Sequence, residues 1–114
     1  MNNDVLLVIT NLPSAEAAEK LAINLVEGRL AACVNRLAPC RSVYRWEGKL
    51  SQDEEHPLLI KTTRERYAAL EAAIHAGHPY ELPEIIAVPI TAGLPEYLNW
   101  VVGETRAETQ PDSR

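Results

Sequence analysis

Several familiar catalytic and binding motifs are missing from this sequence of 114 residues. It has no His-Glu-x-x-His zinc motif, no Cys-x-x-Cys pair and no Gly-x-Ser-x-Gly nucleophile turn. Its five glycines are scattered singly, so it has no glycine-rich loop of the kind that cradles phosphate groups. Nucleotide binding through a familiar loop and hydrolysis by these known constellations are therefore unsupported.

Acidic side chains outnumber basic ones, with 16 Asp and Glu against 11 Lys and Arg and a formal net charge of −5. Proteins that bind nucleic-acid phosphates usually present a basic face, so we expect no nucleic-acid partner. No apolar run approaches the roughly 18 residues of a membrane-spanning helix, so we expect no membrane association. Residues 1–4 lack the basic start of a secretory signal, and the expected location is the cytoplasm.

The two cysteines, Cys33 and Cys40, are predicted to be free thiols. On one extended segment their Cα atoms would lie roughly 23 Å apart, at about 3.3 Å per residue. A disulfide needs Cα atoms within about 7 Å of each other. Free thiols are typical of a reducing compartment, and such cysteines most often pack as small apolar side chains.

Two segments repeat apolar residues at helical spacing and carry clear helix boundaries. The first follows Ser14, a helix N-cap residue, and ends at Gly28. The second follows Thr62, which forms a predicted capping box with Glu65, and ends at Gly77. A short third helix is predicted over residues 94–102.

Four strands are predicted, over residues 5–10, 30–46, 53–62 and 85–91. The first lacks alternation, which indicates that both of its faces are covered. Pro39 bends the second strand, and Pro57 implies a bulge or an unpaired N–H in the third. The order β-α-β-β-α-β predicts one α+β domain over residues 1–103, ferredoxin-like with an antiparallel sheet and a C-terminal helix. Residues 104–114 are polar, and we expect them to be disordered.

The second and third strands form a hairpin arm that is longer than a small domain needs. It turns at Glu47-Gly48-Lys49 and carries Tyr44 and Trp46, which we expect to be exposed. Long exposed edges with aromatic side chains favour association, so we expect the arm to pair with another subunit.

The densest polar cluster, His78-Pro79-Tyr80-Glu81-Leu82-Pro83-Glu84, lies between the second helix and the fourth strand. Imidazole and carboxylate groups bind divalent cations, and imidazole favours copper, nickel or zinc. The alternative is a rigid connector in which His78 caps the helix and Tyr80 packs. A thiol–imidazole pair of Cys33 and His78 would also need an oxyanion donor and a pocket, so we predict no enzymatic activity.

Six motifs, taken together, resemble one known family over residues 5–102. They are Leu30-Ala31-Ala32-Cys33, Tyr44-Arg45-Trp46-Glu47-Gly48-Lys49, Glu55, Lys61-Thr62-Thr63, His78-Pro79-Tyr80-Glu81-Leu82-Pro83-Glu84, and Tyr97 with Trp100. The chain is similar in this respect to the CutA-like divalent-cation tolerance proteins. That resemblance implies a homotrimer similar to PII-type signalling trimers, with Tyr44 and Trp46 at the subunit boundary.

The resemblance also implies a role in tolerance of divalent cations, copper above all, and no organic cofactor. The candidate metal ligands are His78, Cys33 and Glu84. The chain departs from the pattern of some bacterial members at Ile9, where they have Cys, and at Gly77, where they have a second His. Two of the three plausible copper ligands are therefore absent.

A second function fits the matched polar residues Lys61, Glu55, Tyr80 and Trp100, which the resemblance would place in a cleft between subunits. The protein would then be a PII-like sensor or scaffold that binds a small molecule or a partner protein there. A Lys61–Glu55 pair that only holds the trimer together remains the structural alternative.

Overall fold

The computed structural model describes residues 4–106 as an antiparallel sheet with three helices. The elements are β1 (Val5–Leu12), α1 (Ala15–Glu27), β2 (Cys33–Arg36), β3 (Cys40–Trp46), β4 (Lys49–Thr63), α2 (Arg64–Gly77), β5 (Ile86–Pro89) and α3 (Pro95–Glu104). The main sheet has the order β2-β4-β1-β5, and β3 extends it by pairing with β4. The predicted α+β, ferredoxin-like architecture is confirmed.

The core lies between the sheet and helices α1 and α2. Alternate residues of β1 and β4, such as Val8 and Ile60, point to this side and are fully buried. On the opposite side, Leu7 and Ile9 are only half-buried. α3 covers this side of the sheet around Val5 and does not extend over these two residues. The prediction that both faces of β1 are covered therefore holds within one chain only in part.

β4 sets the long dimension of the molecule. Its 15 residues span roughly 50 Å at about 3.3 Å per residue, close to the 54 Å long axis. Residues 49–55 of β4 pair with β3 alone, and we call this two-stranded ribbon the arm. Positive φ angles at Glu47 (54°) and Gly48 (80°) form the two-residue turn at its tip, whose twist suits a hairpin.

The predicted bent strand is two strands in the structure. Three residues, 37–39, face two residues of β4, His56 and Pro57, so the pairing register shifts by one between β2 and β3. The extra residue thus lies opposite Pro57 and not in β4 itself, and the Leu37 N–H donates to the Pro57 carbonyl at 3.0 Å. β4 also begins at Lys49, four residues before its predicted start, because ladder hydrogen bonds do not require apolar alternation.

Helix boundaries agree with the sequence at α1 and differ at the other two helices. Ser14 Oγ accepts from the Ala17 N–H at 3.1 Å, as predicted. The N-cap of α2 is Thr63, whose hydroxyl accepts from the Arg66 N–H. Thr62 is still paired in β4, and its buried hydroxyl donates to the Leu30 carbonyl at 2.7 Å, so the predicted capping box is wrong.

α3 runs to Glu104, and Thr105 is buried with its hydroxyl donating to the Val101 carbonyl at 2.8 Å. The expected disorder from residue 104 is therefore wrong at these two positions, and residues 107–114 lie outside the described part. Among residues 4–106, no helix combines the length and apolarity needed to cross a membrane.

Candidate functional site

An open groove of about 870 Å³ lies where the arm meets the loop between α2 and β5. Five of the side chains predicted from the sequence line it: Tyr44, Trp46, Glu55, Tyr80 and Glu84. The arm supplies the first three and the loop supplies the last two. Tyr44 and Trp46 are 39% and 40% exposed, as expected for the arm.

His78 lies beside this groove, buried, with both ring nitrogens occupied. Its Nε2 donates to the Asn11 carbonyl at 2.7 Å, and its Nδ1 accepts from the Tyr80 N–H at 3.2 Å. Burial lowers the pKa of His78, opposed by the Asn11 hydrogen bond and by Glu55, so the ring is held neutral. Neither ring nitrogen is free in this arrangement, so the predicted metal-ligand role of His78 would require one of the two hydrogen bonds to break.

His78 acts as the tie between the loop and the sheet. It is the C-cap residue of α2, and its ring packs on Tyr80 with 4.9 Å between centroids. Of the two interpretations of this segment, the structure favours the rigid connector, in which His78 ends α2 and Tyr80 packs on it. The hydrogen bonds to Asn11 and Tyr80 set the position of the loop residues in the groove.

Two tyrosine hydroxyls lie next to carboxylates at the groove. Burial, then the hydrogen bond with Glu55 and nearby negative charge, raise the pKa of Tyr80 to about 12. The Tyr44 hydroxyl donates to Asp53, and this contact chiefly raises the pKa of Tyr44. The groove is therefore acidic and aromatic.

Glu84 accepts from the Asn11 side-chain amide at 2.9 Å. The ion pairs within residues 4–106 join Arg29 to Glu104, His56 to Glu54 and Arg64 to Asp4. None of them involves a groove carboxylate, so in the described part of the chain the groove's negative charge has no cationic partner. The sequence did not single out Asn11 or Asp53, since neither belongs to the recognised motifs.

Of the remaining three predicted side chains, Cys33 and Lys61 lie on the side of the sheet opposite α1 and α2, and Trp100 belongs to α3, which packs on that same side. Lys61 Nζ lies 3.8 Å from Cys33 Sγ and donates to the Asn35 side chain. The ring of Tyr97 lies 5.5 Å from that of Trp100, and burial together with the nearby Cys33 sulfur raises the pKa of Tyr97. Strand alternation, which puts residues 33 and 35 on one face, was the signal that could have found Asn35.

Of the predicted metal ligands, His78 and Glu84 both bond to Asn11, whereas Cys33 lies apart from them within one chain. Cys33 lies opposite Lys61, which pairs with Leu7, whereas His78 binds Asn11 four residues further along β1. At about 3.3 Å per residue, roughly 13 Å along β1 separates Leu7, at the height of Cys33, from Asn11, which His78 binds. In the part of the chain that the structure describes, no group of three His, Cys, Asp or Glu side chains could hold a metal ion.

The predicted Lys61–Glu55 pair is also not formed within one chain. The two residues lie six positions apart on β4, roughly 20 Å at about 3.3 Å per residue. Both cysteines are free thiols, as predicted, with Cys33 half-buried and Cys40 exposed.

Known proteins resemble this chain over nearly all of the described residues. The divalent-cation tolerance protein CutA of Thermus thermophilus is 46% identical over 95 residues, which are 83% of this chain and 92% of the relative. The chloroplastic protein CutA of Arabidopsis thaliana is 44% identical over 101 residues, 89% of this chain. The chain spans only 56% of that plant protein's length.

Solved structures agree with these sequence matches. The divalent cation tolerance protein from Thermus thermophilus superposes with a TM-score of 0.88 at 44% identity, covering 90% of this chain and 99% of that one. A protein described as the periplasmic divalent cation tolerance protein CutA, from Archaeoglobus fulgidus, superposes with a TM-score of 0.87 at 37% identity, with the same coverage of both chains. The family model of the CutA1 divalent ion tolerance protein matches residues 6–104, from β1 to the end of α3. The similarity inferred from the motifs is thus confirmed, and the chain belongs to the CutA1 divalent ion tolerance family.

Proposed function

We propose that this chain acts as a homotrimer in divalent-cation tolerance, as a binding or regulatory protein and not as an enzyme. The observation that carries the assembly is the side of the sheet opposite α1 and α2, which α3 covers only around Val5. Apolar side chains of three neighbouring strands form one surface there, which we call the open face: Leu7, Ile9, Leu59, Ile86 and Val88. Ile86 and Val88 remain 49% and 45% exposed, and contiguous apolar surfaces of this kind mark subunit interfaces.

The arm supports the same proposal. Within residues 4–106, no strand pairs with the second edge of residues 49–55, and Leu50 and Val43 are 71% and 61% exposed. An unpaired ribbon with apolar side chains invites edge pairing, which a neighbouring subunit would satisfy. The trimeric number comes from the resemblance to PII-type assemblies, in which such an arm adds to a neighbour's sheet.

Cation handling belongs, in this proposal, to the assembled trimer. One chain holds no metal-ligand cluster among its described residues, and His78 uses both ring nitrogens in hydrogen bonds. A copper site would therefore need donors from more than one subunit, with Cys33 and Glu84 as the available groups of the predicted set. The non-catalytic role rests on the name of the family and on the separation of Cys33 from His78.

A second candidate function is a trimeric sensor or scaffold, and the groove favours it. Pockets of roughly 300–1,000 Å³ lined by aromatic and a few polar groups are typical of small-molecule sites.

We further propose a cytoplasmic location, because both cysteines are free and Cys40 is exposed. Fractionation of the native cell followed by immunodetection tests it, and recovery in another compartment would contradict it.

The assembly is tested by light scattering on tag-free protein after size-exclusion chromatography. We expect a mass of about three times the 12.6 kDa chain. Ile86→Glu on the open face should reduce that mass. Ile23→Glu on α1 is the matched control, because Ile23 is 48% exposed but lies on the helical side, and it should leave the mass unchanged. A monomeric wild-type protein would refute the proposal.

The cation role is tested by calorimetric titration with copper(II), with zinc as the comparison metal. We expect copper binding to the wild-type trimer, retention in His78→Ala and loss in the dissociated Ile86→Glu protein. One copper per dissociated chain, lost in His78→Ala, would contradict the inter-subunit site. Absence of binding in every form would favour the sensor or scaffold.

A further inference from the structure

The groove at the base of the arm combines aromatic walls with a mostly buried carboxylate. Glu55 is only 9% exposed, and it lies close enough to the Tyr80 hydroxyl to raise the pKa of that tyrosine. Tyr44 and Trp46 line the arm side of the groove and keep about two-fifths of their surface exposed. A buried carboxylate normally has a cationic partner or several donors, and Glu55 has neither within residues 4–106.

The chemistry of the walls selects the kind of occupant. The faces of tyrosine and tryptophan rings attract cations, and a guanidinium group both stacks on such rings and binds carboxylates with two parallel hydrogen bonds. Glu81 and Glu84 also line the groove, and Asp53, which accepts from the Tyr44 hydroxyl, adds negative charge beside it. An anionic ligand would meet repulsion from these carboxylates.

The size of the groove argues against a bare metal ion. Its volume of about 870 Å³ lies within the range of small-molecule pockets, and the described residues contain no cluster of metal-ligating groups. We propose that this groove binds a small organic cation, an amine or guanidinium compound, with its charged group at Glu55 and its remainder against Trp46. The proposal deepens the second candidate function above and rests on it.

The test uses benzamidine as the probe and benzamide as its neutral counterpart of similar shape. Trp46 and Trp100 are the two tryptophans of the chain, so Trp100→Phe leaves Trp46 as the fluorescent reporter of the groove. We expect saturable quenching or enhancement by benzamidine and at least tenfold weaker binding of benzamide. Calorimetry on the wild-type protein should give the same order of affinities, with the charged probe binding more tightly than benzamide. Agmatine serves there as an additional, aliphatic guanidinium probe.

The matched variants are Glu55→Gln and Glu19→Gln. The first removes the charge at the groove and keeps the shape, and we expect at least tenfold weaker benzamidine binding. The second removes an exposed carboxylate on α1 and should change nothing. If Glu55→Gln folds poorly, Trp46→Leu replaces it, and a severalfold loss of benzamidine affinity is expected.

Three results would overturn the proposal. Equal binding of benzamide and benzamidine would show that charge is not recognised, and unchanged benzamidine affinity in both groove variants would place the probe elsewhere. The third result is a trimeric protein that binds no probe and whose assembly mass falls equally in Glu55→Gln and Lys61→Met. In that case a lysine of a neighbouring subunit neutralises the groove. That last result removes the cation site and keeps the trimer, whereas a wild-type monomer that binds benzamidine removes only the assembly.

Discussion

Replacing His78 by alanine should lower the free energy of unfolding by roughly 2–4 kcal/mol, because two backbone groups lose their partner. The Asn11 carbonyl and the Tyr80 N–H are both bound by the imidazole, at 2.7 and 3.2 Å. An unsatisfied buried polar group costs about 1–3 kcal/mol. Because the open groove lets water reach part of this site, we expect a cost near the lower end of that range for each of the two backbone groups. Loss of the ring packing on Tyr80 adds to the cost.

Two further variants separate the two hydrogen bonds. His78→Asn places an acceptor near the position of Nδ1, and His78→Gln places a donor near the position of Nε2. Each should keep one of the two bonds and lose about 1–2 kcal/mol, roughly half of the alanine effect.

Urea unfolding at pH 7.5 and one fixed chain concentration measures these differences, since assembly makes stability depend on concentration. The pH dependence provides a second measure. The pKa of His78 is lowered in the folded protein, so the fold favours the neutral ring. Its contribution is complete above the unfolded value of about 6.5 and declines as the pH falls through the folded value. The variants should lack this decline.

An alanine variant as stable as the wild type, within about 0.5 kcal/mol, would refute the argument, because ordinary surface substitutions have effects of that size. A variant of unchanged stability that no longer binds copper would restore His78 as a ligand. In that case the two hydrogen bonds would not hold in solution.

Two more predictions follow from single side chains. Thr63→Ala should cost about 1 kcal/mol in urea unfolding because it removes the α2 N-cap, whereas Glu65→Gln should leave the cap intact, and equal losses would contradict the assignment. The pKa of Tyr80 is raised to about 12, so its stabilising effect is complete below the unfolded value of about 10 and is lost as the pH rises through 12. An ultraviolet titration should show that Tyr80→Phe lacks the tyrosine that ionises at the highest pH in the wild-type protein. Loss of a tyrosine that titrates near the ordinary value of about 10 would contradict this prediction.

Local signals in the sequence were sufficient for the order of the elements. The Ser14 cap, the helical apolar repeats and the turn at Gly48 each act within a few residues, and the structure confirms the ferredoxin-like order that they predict. The family was also readable from the sequence, because its motifs are short contiguous runs. The exposed arm followed from its length and from Tyr44 and Trp46.

Pairing between distant strands decided what the sequence left open. Whether Thr62 or Thr63 caps α2 depends on where β4 stops pairing with β1, and the register shift opposite Pro57 depends on two strands at once. Neither property is carried by a local pattern, because a ladder hydrogen bond depends on the partner's register.

The candidate site shows the same division most clearly. The sequence identified nine side chains, but only the tertiary structure separated them into a groove near Glu55 and a cluster near Lys61, some six residues apart on one strand. It also placed His78 between two backbone groups, each of which bonds one of the ring nitrogens. Residue type determines which chemistry a side chain can perform, and the neighbours that the fold brings to it determine which of these it is free to perform.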